Sequence, residues 1–102
     1  VDLERIQFRG FQPREEVERD IKKVAQKILE ESPMEGQARL VISDQGEQFH
    51  ISVVGTAQNK LFSSESLYKK KDLAGWPRTW QLGAIAELLG DFVQQVRKAF
   101  KL

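Results

Sequence analysis

Ala38-Arg39-Leu40-Val41-Ile42-Ser43-Asp44-Gln45-Gly46-Glu47-Gln48-Phe49-His50-Ile51-Ser52-Val53-Val54 is the stretch that decides the fold. Ala38, Leu40 and Ile42 alternate with Arg39, Val41 and Ser43. Phe49, Ile51 and Val53 alternate with His50, Ser52 and Val54. Side chains of a strand point to opposite faces in turn, so a period of two marks two half-buried strands. Asp44-Gln45-Gly46 between them is a hairpin-type turn signal. The pair has one apolar face, and that face needs a second layer to cover it.

The cover lies on either side in the chain. From Arg14 to Glu31 the period changes to that of a helix, with Val17, Ile21, Val24, Ala25, Ile28 and Leu29 on one stripe. Pro13 suits the first helical turn, and Glu15, Glu16, Glu18 and Asp20 complement the positive helix start. Ser32-Pro33 stops the helix, and Met34-Glu35-Gly36 completes the loop. A second helix is predicted from about Trp80 to Phe100, with Leu82, Ile85, Leu89, Phe92, Val93, Val96 and Phe100 on its apolar face. Gly83 and Gly90 weaken it by up to about 1 kcal/mol each relative to alanine, and close approach of helix to sheet is a reason to tolerate them.

Two further strands complete the pattern. Leu3 to Phe11 alternates Ile6 and Phe8 with Gln7 and Arg9. Gly55 to Asn59 reads as a turn or bulge, and Leu61 to Leu67 as a serine-rich strand at the sheet edge. Tyr68 to Thr79 reads as an ordered surface loop. The expected architecture is therefore α+β: a two-layer β-α-β-β-β-α domain over 1–102. Its four-stranded sheet is mostly antiparallel, and both helices pack on one face. The other face, with Gln7, Arg9, Arg39, Ser43, His50 and Ser52, meets solvent or a partner.

Composition bounds what the domain does. A chain of 102 residues is one domain. No apolar run approaches the roughly 20 residues that span a bilayer, so no membrane partner is expected. Val1-Asp2-Leu3-Glu4-Arg5 lacks the basic start and apolar block of a secretory signal. Cysteine is absent, which excludes disulfides, thiolate zinc sites and cysteine nucleophiles, and fits a cytoplasmic location. The 16 Lys and Arg against 15 Asp and Glu leave a net charge of +1. Any electrostatic binding must come from where the charges sit.

No catalytic constellation emerges. His50 is the single histidine and lies on a strand beside Ser52, but no Gly-x-Ser-x-Gly elbow surrounds any serine. The acidic residues gather where a helix start explains them. The glycines lack phosphate-loop spacing. The expectation is a non-enzyme without cofactor, metal or small-molecule substrate. Two basic features remain. Lys22, Lys23 and Lys27, with Arg19 and Gln26, flank the apolar stripe of the first helix; they read either as a binding flank or as a solvated face paired to Glu15, Glu16 and Glu18. Lys69, Lys70 and Lys71 precede Arg78 in a loop with Trp76 and Trp80, a composition that can hold phosphates and stack on bases, or leave a tryptophan in the core. Arg97, Lys98 and Lys101 close the last helix.

The element order, the opening Ile6-Gln7-Phe8-Arg9-Gly10 and the last-helix run Ala84-Ile85-Ala86-Glu87-Leu88-Leu89-Gly90-Asp91-Phe92-Val93-Gln94-Gln95-Val96-Arg97-Lys98 resemble the ribosome hibernation-promoting factors, the ribosome-associated translation inhibitors of bacteria. The resemblance covers nearly the whole chain. It implies binding to the small ribosomal subunit or structured RNA, occlusion of the channel used by messenger and transfer RNA, and a part in the stress response. It assigns phosphate contacts to Lys22, Lys23 and Lys27 and to Arg97, Lys98 and Lys101. The alternative expectation is a protein–protein interaction module using loop 68–80, with Trp76 and Trp80 as the partner-binding residues. A third option, a double-stranded RNA-binding domain, shares the embedded α-β-β-β-α order but lacks the lysine-rich start of its last helix.

Overall fold

The structure is a computed structural model that describes the backbone of residues 2–31 and 37–100 and the side chains of 6–31 and 38–100. Its elements in chain order are β1 (Asp2–Arg9), α1 (Glu15–Leu29), β2 (Gln37–Asp44), β3 (Gln48–Ala57), β4 (Lys60–Lys69), a short 3-10 turn (Lys70–Asp72) and α2 (Trp80–Ala99). The expected stop and loop at Ser32–Gly36 lie outside the described residues, as does Lys101.

The sheet runs β1-β2-β3-β4. β2–β3 and β3–β4 are antiparallel, while β1–β2 is parallel. The sheet is thus mixed. A strand–helix–strand return carries the chain back to its starting end, which makes the two joined strands parallel. Both helices lie on one face and contact each other. Register explains the core. Leu40 faces Val53 and Ile42 faces Ile51, so one row of apolar side chains crosses the sheet. Ile21, Ala25 and Leu29 of α1 and Ile85, Leu89, Phe92 and Val96 of α2 close over that row, all fully buried.

Two elements run further than their sequence reading. β3 continues through Gly55 to Ala57, and Ala57 pairs with Lys60. The turn between them is only Gln58-Asn59, with φ of 51° and 64°. Left-handed backbone at both central residues matches the strand twist in a two-residue hairpin. β4 then extends to Lys69, shortening the loop. Gly83 and Gly90 also differ from expectation. A Cβ at either would meet nothing within 4 Å, so close packing does not account for these glycines.

α1 and α2 begin at the same end of the sheet. Trp80, at the start of α2, stacks on Phe49, which pairs with Tyr68 near the end of β4. Phe100, past the other end of α2, meets Phe62 at the start of β4. That shared helix-start end holds most of the aromatic side chains and four of the basic candidates, Lys69, Lys70, Lys71 and Arg78.

Candidate nucleic-acid interface

The structure divides the basic candidates into three places. Lys22, Lys23 and Lys27 are exposed together on α1. Lys69 and Lys71 are exposed where β4 ends, and Arg78 is exposed in the following turn. Arg97 and Lys98 are exposed at the far end of α2, with Arg97 roughly 25 Å along the helix axis from Trp80 at 1.5 Å per residue. Among the described residues the one ion pair of a lysine or arginine is Lys70–Asp44, and His50 hydrogen-bonds Glu65. The α1 lysines are therefore not paired to Glu15, Glu16 or Glu18, and no carboxylate among the described residues answers their charges.

Lys70 sits differently from its neighbours. Its ammonium donates to Asp44 Oδ1 at 2.7 Å and lies 4.8 Å from the Phe49 ring centre and 5.6 Å from that of Trp76. Lys69 ends β4 exposed, while Lys70 opens the 3-10 turn with its ammonium among Asp44, Phe49 and Trp76, and the backbone N–H of Lys70 donates to Glu47 O. Asp44 also accepts from the Gly46 backbone N–H at 3.0 Å. The hydrogen bond from Lys70 holds the Asp44 carboxyl below its ordinary value, against partial burial and with help from Gly46. Gly46 has φ of 87°, which a side chain rarely adopts.

The two tryptophans part company. Trp80 is 5% exposed and stacks on Phe49 at 4.3 Å between ring centres. Trp76 is 38% exposed and meets Phe49 edge-on; its bond to Pro77 is cis. Two open hollows flank Trp76. One of about 670 Å³ is lined by Gln45, Gln48, Lys69 and Lys71 among others. The other, about 710 Å³, lies against Phe11, Arg14, Trp80 and Arg78 at the starts of both helices. The first has cations beside an aromatic ring, the chemistry of an unstacked base with its phosphate.

The sheet face away from the helices carries His50, whose Nε2 lies 3.0 Å from Glu65 Oε2. Ser52 faces Glu65 across the ladder, but among the described residues the His50 ring meets Glu65 and not a serine hydroxyl, so no nucleophile joins the pair. Among the described residues, no group of three or more His, Asp or Glu side chains gathers as a metal ion would need, and no helix is long and apolar enough to cross a membrane.

Fold and surface together define a small α+β domain with open cations on its helix layer and at one sheet end. A solved structure shares that architecture: the N-terminal domain of Protein Y from Thermus thermophilus, with a TM-score of 0.68 over 97% of this chain and 99% of that one, at 13% identity. The likeness is one of fold. By sequence, no family model matches the chain and no curated protein matches it.

Proposed function

We propose that this domain binds the small ribosomal subunit or another structured RNA, and inhibits translation by occupying the subunit's messenger and transfer RNA channel. The observation that carries the reading is the set of exposed cations on α1, on the β4 exit and at the α2 terminus that have no carboxylate partner among the described residues. RNA phosphates supply the missing counter-charge. Two further supports are the sequence resemblance to hibernation-promoting factors and the fold shared with the Protein Y N-terminal domain. In this reading Lys22, Lys23, Lys27, Lys69, Lys71, Arg78, Arg97 and Lys98 contact phosphate, and Lys70 holds the platform from which Lys69 and Lys71 project. The mechanism is steric, and the helix layer faces the RNA.

Phosphate contacts release counterions, so affinity should fall steeply with salt. In filter binding to ribosomal RNA, Lys22→Glu should lower the slope of log affinity against log salt by about one contact. A slope unchanged in Lys22→Glu, Lys27→Glu and Arg97→Glu would remove the helix layer from the interface. A second reading, a protein partner at Trp76, rests on the exposure of that ring between two hollows. It predicts a partner lost in a folded Trp76→Ala variant whose RNA affinity is unchanged.

A further inference from the structure

We propose that the chain pairs with a second copy of itself through the free edge of β4, joining the two sheets across a two-fold axis at Ser64. β4 is the terminal strand of the sheet. The two-residue turn closes on the pair Ala57–Lys60, and every second pair after it exchanges both backbone bonds with β3. The backbone groups of Phe62, Ser64 and Ser66 are therefore engaged by β3. Those of Leu61, Ser63, Glu65 and Leu67 point to the open edge. Protected edges carry bulges, prolines or charges along their length. Here the lysines stand only at the ends, Lys60 and Lys69, the one central charge is Glu65, which leans across to His50 on β3, and β3–β4 pairing is regular throughout. Leu61 and Leu67, on the face away from the helices, are 71% and 55% exposed.

The side chains of the edge select one register. An antiparallel partner must bring outward-bonding residues opposite one another. Centring on Glu65 opposes that carboxylate to its own copy, a destabilising pair. Centring on Ser63 sets Leu61 against Glu65. Centring on Ser64 sets Leu61 against Leu67 of the second copy, twice by symmetry, and Ser63 against Glu65. That register forms on the order of eight backbone hydrogen bonds and covers the exposed leucines.

The helix layer agrees with the same axis. Ser64 Oγ donates to Gln95 Oε1 at 3.0 Å, so α2 passes over β4 at Ser64. Glu87, Asp91, Gln95 and Lys98 share that side of α2 at helical spacing, and the charges of Glu87 and Asp91 reach Tyr68. A two-fold at Ser64 sets the two α2 helices antiparallel with Gln95 near its copy. Asp91 of each then lies beside Lys98 of the other. The strand register also sets Lys60 of each copy opposite Tyr68 of the other, toward Glu87 and Asp91. Each contact pairs opposite signs, and each occurs twice, as an isologous interface requires.

Sedimentation equilibrium of the full chain tests the pairing. A concentration-dependent dimer is expected. It should be lost in Glu65→Pro, which removes an outward N–H while leaving the β3 ladder intact, and in Leu61→Lys combined with Leu67→Lys. A wild-type chain that stays monomeric at about 100 μM, above the range of a micromolar interface, overturns the proposal. So does a dimer that survives these variants when circular dichroism shows them folded. The chain has no cysteine, so single cysteines report register. Facing residues of a non-hydrogen-bonded pair stand about 4.5 Å apart at Cα, within disulfide reach. Ser64→Cys should oxidise to a covalent dimer faster than Ser63→Cys or Glu65→Cys. A maximum at 63 or 65 contradicts the axis.

Discussion

Replacing Lys70 with methionine should weaken the fold by about 2.5–5 kcal/mol at pH 7. The substitution keeps the aliphatic stem and removes the ammonium. A hydrogen bond to a charged group contributes about 1.5–3 kcal/mol, and the Lys70–Asp44 bond is short and shielded, at 2.7 Å with side-chain exposures of 18% and 24%. Each cation–ring contact adds about 0.5–1 kcal/mol, and Lys70 has two. Asp44 keeps its bond from Gly46, so the loss stays below the cost of a fully stranded carboxylate. At about 4–8 °C per kcal/mol for a domain of this size, Tm should fall by at least roughly 10 °C.

The pH dependence fixes the cause. The Asp44 carboxyl titrates below its ordinary 3.8 in the folded chain. A carboxyl with a depressed folded pKa contributes stability above its unfolded pKa and loses it as pH falls through the folded value. The gap between wild type and Lys70→Met in urea unfolding should therefore be full at pH 7 and narrow below about pH 4. It should not vanish there, because the ring contacts need only the lysine charge. A gap under about 0.5 kcal/mol at pH 7, the size of an ordinary surface substitution, would refute the assignment of Lys70 to the platform, as would a gap indifferent to pH.

Other expectations follow from the same geometry. Trp80→Ala should cost about 3–5 kcal/mol in chemical unfolding, as for a buried aromatic, while the exposed Trp76→Ala costs clearly less; equal losses would contradict their separate placement. Gly83→Ala and Gly90→Ala should each stabilise α2 by up to about 1 kcal/mol, since the added methyl meets open space; a lower Tm in either variant would show that the space is not free. Tyr68 is the single tyrosine, so ultraviolet titration reads it directly. Burial, and then the charges of Glu87 and Asp91, should place its midpoint above 10.0, and Glu87→Gln with Asp91→Asn should lower it. A wild-type midpoint at or below 10.0 would contradict that environment.

Periodicity made much of this fold legible. The alternation at Ala38–Val54 and the helical stripes of α1 and α2 are local patterns, and each survives in the structure apart from Leu82, expected on the apolar face of α2 but 41% exposed in its first turn. A turn or bulge was legible over Gly55–Asn59, but its narrowing to Gln58-Asn59 was hidden because neither residue is glycine, the usual sign of left-handed backbone. The parallel β1–β2 pair follows from the crossover helix, not from any feature of β1 itself. Lys70 looked like its neighbours because its partner, Asp44, lies on another strand; only register brings the two together. Trp80 and Trp76 were indistinguishable in sequence for a similar reason, since Phe49 decides which ring is covered. The open charges of α1 were visible as residues, but the lack of carboxylate partners could be seen only in three dimensions.

Co-sedimentation with purified small ribosomal subunits tests the central proposal most directly. At about 50 mM salt, where phosphate contacts are strong, the wild-type chain should travel with the subunit. Raising salt to about 200 mM should release it, as should Lys22→Glu combined with Lys27→Glu at low salt. A folded wild-type chain that remains at the top of the gradient at low salt would contradict the account.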